Sequence, residues 1–119
     1  MRETHMIGSG VPPAVIQAIK GTIATGISAA GTTVSDATAL TSDYNVVSTV
    51  AALAGVKLPV GNAGDEIFVL NTGANPLTVY APSTGQINGH TADVGAVVRT
   101  KASAKFVYQT TVNVWCFFG

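Results

Sequence analysis

Glu66-Ile67-Phe68-Val69-Leu70-Asn71-Thr72-Gly73-Ala74-Asn75-Pro76-Leu77-Thr78-Val79-Tyr80 is the stretch that decides the fold. Two short runs of β-branched, aromatic and aliphatic residues flank a break made of Thr, Gly, Ala, Asn and Pro, the composition that ends one strand and starts another. Leu77-Thr78-Val79-Tyr80 alternates, so Leu77 and Val79 share one face, as suits an outer strand with one side on a core. Ile67-Phe68-Val69-Leu70 is apolar at every position and needs cover on both sides, which suits a central or interface strand.

The same punctuation continues toward both ends. Strands are expected at Ala37 to Leu40, Asn45 to Ala51, Glu66 to Asn71, Leu77 to Tyr80, Val94 to Arg99, Lys105 to Gln109 and Val112 to Phe118. Gly61-Asn62-Ala63-Gly64-Asp65, Pro82-Ser83-Thr84-Gly85 and Asn88-Gly89 carry turn chemistry between them. Short strands at this spacing predict an all-β chain, an antiparallel sandwich or barrel over residues 34–119. Residues 1–33 read as an N-terminal arm. Within it Val11 to Lys20 can form one or two helical turns, with Val15, Ile16 and Ile19 on one face, before Gly21. The following Gly, Ala, Ser and Thr mixture is too poor in large apolar groups to build a core of its own.

The 119-residue chain is long enough for one domain that buries roughly two-thirds of its unfolded surface. Six Lys and Arg balance six Asp and Glu, and only 10% of residues are charged against about 25% in ordinary domains. Nucleic-acid and membrane-surface binding both need a basic patch, and neither is expected. No run approaches the roughly 20 apolar residues of a membrane span, and Met1 to Gly10 lacks the apolar stretch of a secretory signal. Synthesis in a cytoplasm is therefore expected. A surface this weakly polar suits cover by a partner.

The chemistry-bearing residues form no catalytic grouping in the sequence. Asp65 and Glu66 enter a strand side by side, so their side chains point to opposite faces and cannot share a proton or a metal. His5 lies near the terminus, and His90 follows an Asn-Gly turn with Asp93 as its one nearby carboxylate. Gly8-Ser9-Gly10 and Gly61-Asn62-Ala63-Gly64 lack the Lys-Ser/Thr sequel of a phosphate loop. Cys116, the one cysteine, sits in an apolar run and reads as a buried small hydrophobe, not a thiolate. Tyr44, Tyr80, Tyr108 and Trp115 could stack on sugars but are spread through separate strands. No enzyme activity, cofactor, metal or small-molecule substrate is expected.

The C-terminal run puts Val112, Val114, Cys116 and Phe118 on one face and Trp115 and Phe117 on the other. Covering the second pair is worth about 1.5 to 3 kcal/mol per large side chain, enough to drive association. Val15, Ile16, Ile19, Phe68, Leu70, Trp115 and Phe117 are accordingly the expected interface residues, and a homotrimer is the expected form.

Gly55-Val56-Lys57-Leu58-Pro59, the run from Gly64 to Tyr80, Gly85-Gln86-Ile87-Asn88-Gly89, Lys105-Phe106-Val107-Tyr108 and Trp115 together resemble a module recurrent in structural proteins of tailed bacteriophages and prophages. The resemblance implies an antiparallel β-sandwich or jelly-roll-like shell protein, of the cement or decoration kind that sits on the phage head, commonly trimeric. Its partners would be its own copies and the major capsid protein, and its place the capsid surface of the virion. It implies no catalytic residue. A tail, fibre or baseplate component is the alternative, with Ser83 to Thr91 contacting a host surface.

Overall fold

The computed structural model describes residues 22–118, and every regular element among them is a strand. In chain order these are β1 (Ile23–Ser28), β2 (Thr38–Ala39), β3 (Tyr44–Thr49), β4 (Gly55–Lys57), β5 (Glu66–Asn71), β6 (Leu77–Tyr80), β7 (Ala96–Val98), β8 (Ala102–Tyr108) and β9 (Val114–Phe118). They form a five-stranded sheet ordered β1-β3-β5-β8-β9 and a four-stranded sheet ordered β2-β4-β6-β7.

Up to β6 the chain changes sheet at every strand. β1, β3 and β5 are parallel neighbours in one sheet, and β2, β4 and β6 in the other. Parallel strands need a long crossover between them. Here each crossover contains a strand of the opposite sheet, so the chain coils around its own core. From β6 onward the pairings β6/β7, β5/β8 and β8/β9 are antiparallel. The antiparallel pairing expected from the sequence is therefore corrected to two mixed sheets. Period-2 alternation identifies a strand but does not name its partner.

The break at Thr72–Pro76 is a corner between sheets instead of a hairpin. β5 and β6 flank it but lie in different sheets. Asn71, fully buried, holds this corner. Its Nδ2 donates to the carbonyls of Asn75 (2.9 Å) and Val98 (3.0 Å), and its Oδ1 accepts from the Gly73 N–H (2.9 Å). The Val98 carbonyl belongs to β7, so one side chain ties the two sheets together. The Asn71 carbonyl also accepts from the Lys101 N–H (2.6 Å), fixing the return from β7 to β8.

Between the sheets lies one apolar core, with Val47, Val69 and Phe106 from the first sheet and Val56, Leu77, Val79 and Val98 from the second at its centre. β6 is an inner strand of its sheet with β7 beyond it, not the outer strand its alternation suggests. Tyr80 explains why: its ring packs against Gly55, where a Cβ would stand 2.8 Å from a ring carbon, and its hydroxyl donates to the Thr32 carbonyl (2.9 Å). The chain thus covers the outer side of this sheet at β4 and β6 with its own residues, while Val97 on β7 stays half exposed.

Residues 22–33, expected as the end of an arm, belong to the β-structure. β1 pairs with β3, Ile27 and Ala29 pack on the core, and Ala30 bridges to Gly55. β1 carries few large side chains, and pairing with β3 supplies what its own sequence lacks. The helical turns expected at 11–20 lie outside the described residues.

Asn71→Ala removes three side-chain hydrogen bonds, two of them fully buried, and leaves the buried Gly73 N–H without its acceptor. The expected cost is about 3 kcal/mol in urea unfolding, since each unpaired buried group costs roughly 1–3 kcal/mol. A loss below about 1 kcal/mol would show that the corner does not depend on this side chain.

Candidate interaction face

The pairing register places one row of side chains straight across the outer side of the five-stranded sheet. Ile23 pairs with Tyr44, Tyr44 with Phe68, Phe68 with Lys105 and Lys105 with Phe117. Beside this row Val46 pairs with Leu70, and Val107 with Trp115. Their strand neighbours Asn45, Val47, Ile67, Val69, Phe106, Val114 and Cys116 all point inward and are buried. Alternation therefore puts the row on the solvent side by geometry alone.

This outer side is apolar. Leu70 is 37% exposed, Trp115 44%, Phe117 55% and Ile23 69%. Tyr44 and Phe68 stack with ring centroids 4.9 Å apart and planes 12° from parallel, and the Lys105 ammonium lies 5.6 Å from the Phe117 centroid. Shallow hollows of about 220 Å³, beside Tyr44, Phe68 and Leu70, and about 270 Å³, between Phe68 and Phe117, give the face relief. Five strands spaced ~4.8 Å apart, each about six residues long, give it a footprint on the order of 500 Å². Covering the exposed apolar part is worth on the order of 10 kcal/mol before association costs.

The strand edges are less available than the face. Along β9 the Val114 N–H donates to the Gln86 carbonyl (2.9 Å), the Asn88 N–H to the Val114 carbonyl (3.0 Å), and the Cys116 N–H to Asn88 Oδ1 (2.8 Å). This cover comes from the Asn88-Gly89 turn, whose φ values of 54° and 73° and Ile87–His90 hydrogen bond (3.0 Å) make it a type I′ turn. At the other end β1 is broken by register shifts between Ala24 and Ser28. Covered or irregular edges resist strand addition, which leaves the face as the open surface.

Of the expected interface residues, Phe68, Leu70, Trp115 and Phe117 come together on this face, while Val15, Ile16 and Ile19 lie outside the described residues. Ile23 and Tyr44 are the additions. The alternation Tyr44-Asn45-Val46-Val47 is legible, but Tyr44 lies one residue before the strand expected at Asn45 to Ala51, and Ile23 lies within the expected arm.

The remaining reactive groups serve structure. Asp65 Oδ2 accepts from the Asn62 N–H (2.8 Å) and closes its turn, and Asp93 Oδ1 accepts from the Thr84 N–H (2.7 Å) and braces the loop before His90. Thr33 donates to Asp36 Oδ1 through both its N–H and its hydroxyl, which holds the Asp36 carboxyl below its ordinary range. Tyr80 and Tyr108 are buried, the latter donating to the Pro59 carbonyl, so they do not join Tyr44 and Trp115 in a stacking platform. Asn45 is buried with its Nδ2 on the Ser42 and Phe68 carbonyls and its Oδ1 without a partner among the described residues. No three His, Cys, Asp or Glu side chains come together among the described residues. No protein-family model, curated protein or solved structure matches the chain.

Burial pushes the Cys116 thiol from 9.0 up to about 11, and burial, with the Asp65 charge second, pushes Tyr108 up as well. The folded state thus holds both protons more tightly than the unfolded chain. The Cys116 contribution to stability is complete below the ordinary thiol value and is lost as pH rises from about 9 toward 11, whereas that of Tyr108 is lost only above the ordinary phenol value. The urea midpoint is expected to fall across that window, and Cys116 to resist alkylation at pH 8 until the chain unfolds. A flat midpoint with rapid native alkylation would contradict this placement.

Proposed function

We propose that this chain is a non-enzymatic structural protein that works by docking within a larger protein assembly. The observation that carries the reading is the apolar outer side of the five-stranded sheet, which crosses all five strands, whereas on the strands of the smaller sheet Val97 is the one exposed large apolar side chain. Monomeric proteins seldom leave a contiguous apolar patch of several hundred Å² in water without a use for it. Two sheets on one core form a stiff sandwich-like platform, and the side chains are presented by strand pairing instead of by loops.

The assembly we propose is the head of a tailed bacteriophage, following the resemblance across residues 55 to 118. Copies of the chain would associate with one another and with the major capsid protein on the outside of the shell. The work done there is thermodynamic. A protein that binds the assembled shell and not its separated subunits stabilises the shell by mass action, about 2.7 kcal/mol per site at a free concentration 100 times Kd.

Purified protein mixed with undecorated heads is expected to cosediment with them at saturating, fixed stoichiometry and to raise the temperature at which they release DNA. Binding to host cells, with none to heads, would contradict the shell reading and point to a tail or fibre component.

A further inference from the structure

We infer that the outer side of the five-stranded sheet is occupied by the same face of a second copy of this chain. The inference rests on the reading of that face as a docking surface and names its occupant. Three observations support a second copy.

The first is charge. Among its strand residues the face carries one anion, Glu66, and one cation, Lys105, on adjacent strands, with Arg99 at its border beside Ser103. Glu66 pairs with Val107 and Lys105 with Phe68, so the two sit on a diagonal of the ladder, about 7 to 8 Å apart. The Glu66 carboxylate has no ion pair or side-chain hydrogen bond among the described residues, and Lys105 lies over the Phe117 ring. A two-fold axis running between them in the plane of the interface carries each cation onto the partner's anion. A face with one charge of each sign is its own complement, whereas a uniformly charged one would repel its copy.

The second is size. A footprint on the order of 500 Å² per copy falls below the roughly 800 Å² that each partner contributes to a standard interface and suits a smaller, reversible pairing. The third is relief. The hollow between Phe68 and Phe117 and the hollow beside Tyr44 alternate with the aromatic ridges along one row, so a copy related by the two-fold can seat its ridges in them. A face packed flat on its own copy is isologous and closes at two copies, not at the three that the phage resemblance implies.

Trp115 is the one tryptophan and sits on this face, so its emission reports the pairing directly. The full chain at 100 μM is expected to sediment as a dimer, and dilution is expected to shift Trp115 emission to the red with the same midpoint. Glu66→Lys and Lys105→Glu are each expected to weaken the dimer at least tenfold. The double variant, with the charges exchanged, is expected to recover to within about threefold. Both substituted positions are outside the core, so circular dichroism and urea midpoints should match the parent. A monomer at 100 μM, a trimer, or a double variant no better than the singles would overturn the inference. So would a monomer whose Trp115 emission stays blue at every dilution, which would mean the face is covered within one chain. A monomer that still binds phage heads contradicts the pairing alone, and a dimer that binds none contradicts the shell reading alone.

Discussion

The molecule depends on one corner. Where the chain leaves the central strand of the five-stranded sheet, Asn71 turns its side chain inward and fastens Gly73, Asn75 and Val98 at once. A polar amide in an apolar core is costly unless it is satisfied, and this one has partners on both its nitrogen and its oxygen. It lets β6 start in the opposite sheet without stranding backbone groups, and through Val98 it sets how the sheets lie over each other. Thr100 adds to the same corner by donating its hydroxyl to the Gly73 carbonyl. Once the sheets are held there, the alternation of β5 settles which residues face the core. Phe68 and Leu70 are left outside.

The two sheets differ in what they do with their outer sides. On the smaller one Tyr80 lies over Gly55 and reaches back to Thr32, so local chain covers β4 and β6, and Val97 is the exposed large apolar side chain on its strands. On the larger one nothing comparable happens among the described residues, and aromatic and aliphatic groups meet solvent in register across every strand. Their contact with each other, through the Tyr44 and Phe68 stack and the Lys105 and Phe117 pair, removes only part of their surface from water. The interior is quiet by contrast. A thiol and a phenol that burial keeps protonated near neutral pH strengthen packing and offer no nucleophile.

Strand identity was largely legible in the sequence, and strand partnership was not. β5 and β6 appeared with their observed limits because their apolar runs end at Asn71-Thr72-Gly73 and Asn75-Pro76. β1 was hidden because Thr22 to Gly31 holds small residues whose strand comes from pairing with β3. β4 was hidden because Gly55 reads as a break, although it is the one residue there that admits the Tyr80 ring. The Thr72 to Pro76 turn looks alike whether it makes a hairpin or a corner, since the choice is made by the buried amide of Asn71. The apolar face was half visible: a run with no polar position announces that both sides need cover, but only the register brings Trp115, Phe117, Phe68 and Leu70 to one side with Ile23 and Tyr44.

The central claim is that this face is hidden when the protein does its work. Hydroxyl-radical footprinting of the protein in its working assembly tests it most directly, with Leu53 and Val60, 76% and 70% exposed in loops, as internal standards. Strong protection of Tyr44, Leu70, Trp115 and Phe117 relative to those two residues is the predicted result. Oxidation of the face at the rate its exposure in the single chain implies, level with Leu53 and Val60, would contradict the account.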